Sequence, residues 1–161
     1  MPTRAAKDAC DLLDADHRAV QKLFKEYEEL ATSRARNTAQ KKMDLAHHIC
    51  QELTVHTRIE EEIFYPAVRD AVKDTDPLDQ AQVEHQSAKD LIAQIQEMSE
   101  ADDMFDARVK VLGEYVNHHI KEEKSEIFPK ARAARKLDLM GMREQLEARK
   151  EELMSEMGET A

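Results

Sequence analysis

Apolar residues return every three or four positions along four long segments of the chain, the spacing of a helix with one buried face. These segments cover about residues 6–31, 38–73, 77–100 and 103–134. The breaks between them are short, at about residues 33–37, 74–76 and 99–102. Because short connections place consecutive helices side by side in opposite directions, the pattern predicts an all-α, up-down-up-down antiparallel four-helix bundle.

A fifth amphipathic segment follows at about residues 137–157 and predicts an additional C-terminal helix. It could lie across the bundle or extend outward to a partner, through an apolar face made of Leu139, Met142, Leu146 and Leu153. We therefore divide the chain into a bundle, residues 1–135, and a C-terminal amphipathic helix and tail, residues 136–161.

The composition of this 161-residue chain agrees with a helical fold, since glycine and proline are scarce and good helix formers dominate. The net charge is −10 and no basic patch is interleaved with aromatic residues, which argues against a nucleic-acid partner. No apolar run could span a membrane and residues 1–11 lack a signal-peptide core, so we expect a cytoplasmic protein without a membrane partner. Cys10 and Cys50 are predicted to be free thiols.

Polar residues interrupt the apolar face of each helix at related positions. They are His17 in the first, His56 and Glu60 in the second, His85 in the third, and His119 and Glu123 in the fourth. Each His–Glu pair is spaced four residues apart, so both side chains point from one helix face into the core. Buried carboxylates need positive charge nearby, which metal ions bound by imidazole and carboxylate would supply. These six residues are the candidate metal ligands, and a buried polar network without metal is the alternative.

The same four-residue spacing occurs at two further places that lie beside the apolar faces. These are the pairs His48 with Glu52 and His118 with Glu122. The helical period places both pairs, and His47, away from the core. We therefore interpret His47, His48 and His118 as surface or flanking residues.

A repeat links the two candidate His–Glu pairs. The second helix contains HTRIEEEIFYP and the fourth contains HIKEEKSEIFP, with glutamate at +4 and proline at +10 from each histidine. A shift of 63 residues, from His56 to His119, superposes the two copies and predicts a site with approximate two-fold symmetry. Pro66 and Pro129 should each bend or end their helix, because proline has no amide hydrogen.

The order of these residues, H-HxxxE-H-HxxxE, resembles the hemerythrin HHE cation-binding family over about residues 9–131. The resemblance implies two iron ions bridged by two carboxylates and by an oxo or hydroxo group. It implies one role for each candidate ligand: His17 and His56 on one iron, His85 and His119 on the other, and Glu60 and Glu123 as bridges.

The sequence departs from the oxygen-carrying members of that family at two positions. Ala81 stands where they have a further histidine, and Lys124 stands where they have an aspartate. One expected ligand is therefore missing, and the second bridge is Glu123. The resemblance implies a non-haem di-iron protein that binds or handles oxygen, nitric oxide or peroxide. Redox turnover with a redox partner would make it an enzyme, and no hydrolase or transferase motif is present.

Three alternatives remain beside this interpretation. The chain could be a sensor of redox state, iron or oxygen, or an interaction module whose fifth segment reports to a partner. Iron storage is disfavoured, because ferritin-type bundles use a Glu-x-x-His spacing that these histidines lack. Manganese or zinc could replace iron, but six ligands suit two five- or six-coordinate ions better than four-coordinate zinc.

Overall fold

The computed structural model describes residues 7–33 and 38–160, the last three of these by their backbone alone. Its helices are α1 (Ala9–Thr32), α2 (Ala39–Ile59), α3 (Tyr65–Ala71), α4 (Asp76–Glu97), α5 (Asp103–Glu122), α6 (Phe128–Ala133) and α7 (Leu139–Thr160). Two π-helical turns, Glu60–Phe64 and Glu123–Ile127, join α2 to α3 and α5 to α6 into two continuous rods. The described residues contain no strand, and the predicted all-α class is confirmed.

Four helical rods surround the core, each in contact with two neighbours around the ring: α1 with α2, α2 with α4, α4 with α5, and α5 with α1. Contacts at the two ends of the ring give the direction of the helices. Tyr27, near the end of α1, donates a 2.6 Å hydrogen bond to Asp106 at the start of α5. Arg132, at the end of α6, pairs at 3.2 Å with Asp8 at the start of α1. The first and last rods therefore run antiparallel, as predicted.

The predicted helix boundaries agree with the observed ones to within a few residues where they can be compared. Asp8 caps α1, because its side chain accepts a hydrogen bond from the Asp11 amide while that aspartate bonds back to the Asp8 amide. Asp102 caps α5 through the Phe105 amide. The predicted helix start at Ala6 and the break at residues 34–37 lie outside the described residues.

Pro66 and Pro129 each follow a π-helical turn, and neither proline ends its helix. The Tyr65 amide bonds to the Glu60 carbonyl, five residues earlier, and the Phe128 amide bonds to the Glu123 carbonyl in the same way. Each turn inserts one extra residue, and the proline then lies at the second position of the helix that follows, where a missing amide hydrogen is tolerated. The predicted kinks are thus local changes of helical pitch, and both rods continue for several residues beyond their prolines.

The first π-helical turn also corrects the predicted core face of the second rod. The α-helical period placed Ile63 and Ala67 in the core, but both are only partly buried. Phe64 and Val68 are buried instead, at 0% and 1% exposure. The extra residue rotates everything after Glu60 by one position, which the regular period of 3.6 residues does not anticipate.

Helix α7 lies across the bundle, against α1, α2 and the first π-helical turn. Met142, Leu146 and Leu153 are buried as predicted, and they join the apolar cluster at that end of the bundle. Lys150 pairs with Asp16 of α1 at 2.5 Å, and its neighbour Arg149 pairs with a glutamate of the π-helical turn. The first of the two arrangements expected for this segment is therefore the observed one.

The core consists of two apolar clusters separated by a layer of polar side chains. Cys10 lies in one cluster and Cys50 in the other, and both are buried free thiols, as predicted. Burial raises the pKa of each thiol to about 12. Within the described ranges, no helix combines the length and apolarity needed to cross a membrane.

Candidate metal centre

The polar layer contains all six residues that the sequence identified as candidate ligands. They are the buried side chains His17, His56, Glu60, His85, His119 and Glu123. Each rod of the bundle contributes one histidine, and the two rods with π-helical turns also contribute one glutamate each. Both glutamates are the first residues of their turns and are 0% exposed. The repeat seen in the sequence is therefore a repeat in the structure, down to the backbone.

One end of the layer brings two histidines and both carboxylates together. The Nε2 atoms of His17 and His56 are 3.1 Å apart. His17 Nε2 lies 3.0 Å from Glu123 Oε1, and His56 Nε2 lies 3.1 Å from Glu60 Oε1. One donor atom from each of these four residues lies within 4.8 Å of the others, close enough to share one metal ion.

The opposite end repeats this arrangement with the other two histidines. The Nε2 atoms of His85 and His119 are 3.2 Å apart. His85 Nε2 lies 3.3 Å from Glu60 Oε1, and His119 Nε2 lies 3.1 Å from Glu123 Oε1. Each carboxylate thus contacts imidazoles from both ends of the layer.

Three carboxylate oxygens in this layer are buried without a directed hydrogen bond. They are both oxygens of Glu60 and Oε1 of Glu123; within the described part of the chain the nearby imidazole nitrogens do not meet them in hydrogen-bond geometry. Buried polar atoms in proteins are nearly always satisfied, so such atoms call for an explanation. Metal ions between the imidazole nitrogens and these oxygens would satisfy all three, and the donor set therefore fits the implied metal.

Carboxylates outside the layer hold the outer nitrogens of three of the histidines. His56 Nδ1 lies 3.1 Å from Asp16, His85 Nδ1 lies 3.2 Å from Glu61, and His119 Nδ1 lies 2.8 Å from Glu84. These contacts leave Nε2 directed at the centre of the layer, the usual arrangement around metal-binding histidines. The helical period does not identify these acids, although an acidic residue directly precedes both single histidines, as Asp16-His17 and Glu84-His85.

His17 is the exception to this pattern. Its Nδ1 atom has no hydrogen-bond partner among the described residues, and the nearest carboxylate oxygen, on Asp14, is 3.9 Å away. The repeat explains the difference, because a shift of 63 residues places Lys124 where the other copy has Glu61. Lys124 lies 3.6 Å from Asp14, and it cannot accept a hydrogen bond from His17 as Glu61 can from His85. The two ends of the layer are therefore not equivalent.

Charges within the layer shift the pKa values of its members. Burial opposes protonation of His56, but the carboxylates of Glu60 and Asp16 outweigh burial and raise its pKa to about 10. The same balance, with Glu123 as the main neighbour, raises the pKa of His119 well above its ordinary value. Burial would raise the pKa of Glu60, yet the adjacent imidazoles lower it well below its usual range. Glu60 is therefore ionised, the state in which a carboxylate binds metal.

The hydroxyl group of Tyr65 lies at the end of the layer that contains His85 and His119. Its oxygen lies 3.1 Å from His119 Nε2 and 3.4 Å from His85 Nε2, and it donates to Glu123 Oε2 at 3.2 Å. Burial and the negative charges of the two glutamates raise the pKa of Tyr65 well above its ordinary value. The sequence pattern does not predict a role for this residue, because the α-helical period turns a residue at +5 from Glu60 away from the site.

Phe128 occupies the position equivalent to Tyr65 in the other copy of the repeat. Its ring stacks on His17 with the centroids 6.0 Å apart and the planes inclined by 12°. One end of the layer therefore meets a phenol hydroxyl and the other meets an apolar ring. Comparing the two copies position by position would have revealed this difference.

A small cavity of about 30 Å³ borders the polar layer, and neither Tyr65 nor Phe128 lines it. All four candidate histidines line it, and its remaining wall includes the apolar side chains of Val20, Leu53, Val116 and Ile120. A single water molecule needs roughly 10–15 Å³ of such space. The cavity thus has room for a molecule the size of a diatomic gas.

The histidines assigned to the surface lie there. His47 is exposed, and the side chains of His48 and His118 are 49% and 65% exposed. Tyr27, the only tyrosine on the predicted apolar faces, packs in the core far from the layer, with its hydroxyl bound to Asp106. The periodicity therefore separated the four buried histidines from the three exposed ones correctly.

Comparison with known proteins agrees with this geometry. Residues 8–131 match the family model described as Hemerythrin HHE cation binding domain. This chain therefore belongs to the hemerythrin HHE cation-binding domain family, and the resemblance stated from the sequence is confirmed. Its fold is also similar to the crystal structure of a hemerythrin HHE cation binding domain-containing protein from Mycobacterium kansasii. That similarity has a TM-score of 0.75 at 20% identity and covers 93% of this chain and 89% of the other.

A curated relative, a DNA nickase from Nostoc sp., is 31% identical over 118 residues. The match covers 73% of this chain but 32% of the nickase, so this chain spans about a third of that protein's length. Nicking is described for that longer protein as a whole. The prediction that this chain has no nucleic-acid partner stays a prediction.

Proposed function

We propose that this chain holds two iron ions in its polar layer, each with a pair of histidines: His17 and His56, then His85 and His119. Glu60 and Glu123 would bridge the ions, since each carboxylate contacts imidazoles from both ends. The observation that carries the proposal is the three buried carboxylate oxygens without hydrogen bonds. Coordination to metal satisfies them and offsets the charge of the two glutamates.

In this proposal, Tyr65 supplies a further ligand at the end of the layer that contains His85 and His119. The resemblance to oxygen carriers left a ligand missing at Ala81, which is a buried residue with no donor atom. The Tyr65 oxygen lies beside both histidines of that end, and a phenol oxygen is a known ligand of ferric iron. We therefore assign Tyr65 to the coordination position that Ala81 leaves open.

The cavity supports a small ligand for this centre. Bound iron would supply electron transfer and a position for a diatomic or peroxidic molecule. The four histidines form one wall of the cavity, and the apolar side chains of the chain would exclude bulk water and large substrates from it. We propose oxygen, nitric oxide or hydrogen peroxide as the ligand, and a redox partner would be needed for turnover.

The test joins metal analysis to absorption spectra of the reduced protein, exposed separately to oxygen, nitric oxide and peroxide. We expect about two iron ions per chain and a change in the absorption spectrum with at least one of the three ligands. A stable oxygen adduct would indicate oxygen binding, and rapid consumption of peroxide or nitric oxide would indicate an enzyme. A protein that retains no iron under anaerobic loading, or one that retains zinc alone, would contradict the proposal.

The role of Tyr65 has its own test, with a matched control in the same chain. We expect Tyr65→Phe to retain iron, because the six other ligands remain, but to lose any phenolate-to-iron absorption band. Tyr27→Phe also removes a buried hydroxyl, yet at the far end of the bundle, so it should keep that band. An unchanged spectrum in Tyr65→Phe would remove the tyrosine from the ligand set and leave the other six untouched.

A further inference from the structure

A second group of metal-binding residue types lies at the surface of the bundle. It consists of Glu84 on α4 with His118 and Glu122 on α5, and we call it the outer triad. His118 Nε2 is 3.4 Å from Glu84 Oε2 and 3.0 Å from Glu122 Oε1. One donor atom from each residue lies within 4.8 Å of the other two. The three side chains converge at a point that solvent reaches, since His118 is 65% exposed.

The other surface His–Glu pair shows why the third residue matters. His48 and Glu52 have the same four-residue spacing, with the nearest atoms 3.9 Å apart. In the portion of the chain that the structure covers, no further histidine or carboxylate joins them to form a group of three. A lone pair of this kind is an ordinary surface interaction worth little free energy. The outer triad differs because Glu84 approaches the pair from a different helix.

The charges of the outer triad favour a cation. Glu84 and Glu122 present two carboxylates to the same imidazole nitrogen. Within residues 7–33 and 38–160, no lysine or arginine forms an ion pair with either carboxylate, and Gln80 donates the one amide hydrogen bond to Glu122. Two carboxylates this close repel each other, and a cation bound between them would relieve that repulsion.

We propose that the outer triad binds one divalent first-row transition-metal ion through one imidazole nitrogen and two carboxylate oxygens. This donor set suits ferrous iron, manganese and zinc, with water completing the coordination sphere. Glu84 also links the two sites, because its Oε1 atom accepts a 2.8 Å hydrogen bond from His119 Nδ1. A metal ion at the outer triad would withdraw electron density from the Glu84 carboxylate, which accepts that hydrogen bond. This coupling rests on the proposed di-iron centre, whereas binding at the outer triad does not.

Equilibrium dialysis of the iron-loaded 161-residue chain against Zn²⁺ tests the proposal. Elemental analysis then gives iron and zinc per chain in the same sample. We expect wild type to bind about one zinc ion more than His118→Ala, with equal iron in both. His48→Ala, the matched surface histidine, should bind as much zinc as wild type. Glu84→Gln should weaken zinc binding at least about tenfold and also alter the iron spectrum, because it contacts both sites.

Equal zinc binding by wild type and His118→Ala would overturn the proposal, as would the same loss in His118→Ala and His48→Ala. Loss of iron in His118→Ala would also overturn it, because the triad would then support the buried centre instead of binding its own ion. A wild-type protein without iron but with zinc that depends on His118 would refute the proposed function and support the outer triad. The side chains of His118 and His48 are exposed and that of Glu84 is partly buried, so circular dichroism checks that each variant keeps the helical fold.

Discussion

If the layer holds iron as proposed, removing the iron should destabilise the fold, because it leaves three buried carboxylate oxygens without hydrogen bonds. An unsatisfied buried polar group costs roughly 1–3 kcal/mol. The neighbouring imidazoles compensate part of this cost, so we use the lower value for each of the three oxygens of Glu60 and Glu123. The metal-free protein is then expected to be less stable by at least about 3 kcal/mol. For a chain of this length, that corresponds to a melting temperature lower by at least about 6 °C.

The measurement is a pair of urea and thermal unfolding curves, followed by circular dichroism, for iron-loaded and chelator-treated protein at one pH. Two variants separate coordination from general effects of charge. Glu60→Gln makes a proposed bridging position neutral and should gain less than about 1 kcal/mol from iron. Glu126→Gln changes an exposed residue of the second π-helical turn and should keep the full gain.

Two results would refute this reasoning. Iron-loaded and metal-free wild type could melt within about 2 °C of each other, which would mean that the buried oxygens are satisfied without metal. Alternatively, Glu60→Gln could keep the stabilisation by iron while Glu126→Gln loses it, which would place the metal outside the polar layer.

Two further predictions concern the core. Leu146→Ala on α7 removes a side chain with 0% exposure and should cost about 2–5 kcal/mol in urea unfolding, with iron content unchanged; a cost below about 1 kcal/mol would mean that α7 is not held on the bundle. The raised pKa of Cys10 and Cys50, about 12 for each, lowers their thiolate fraction at pH 8 on the order of a thousandfold. Native protein should therefore react with a disulfide reagent far more slowly than protein unfolded in urea, and similar rates would contradict their burial.

The candidate ligands could be found from sequence because each occupies a position that the helical period assigns to the core. His56 and Glu60 share one face of a regular helix, so their direction follows from spacing alone. Beyond Glu60 the period no longer applies, since the π-helical turn inserts one residue. Tyr65 was missed for that reason, and Ile63 was placed in the core where Phe64 belongs.

Contacts between helices were beyond the reach of periodicity. Glu84 is one residue from a candidate ligand, but its bond to His119 depends on how α4 and α5 pack. Likewise, the His118–Glu122 pair was correctly assigned to the surface, while the third member of the outer triad comes from another helix. A period along one helix gives the direction of a side chain and leaves its partners on other helices unspecified.

The internal repeat has a consequence for how such a site can change by mutation. If two identical helical hairpins associated as separate chains, every substitution would alter both halves of the site together. Here one chain encodes both copies, so residue 65 can be tyrosine while residue 128 is phenylalanine. In the same way, residue 61 is glutamate and residue 124 is lysine. A single codon change therefore adjusts one half of the site and leaves its counterpart as it was.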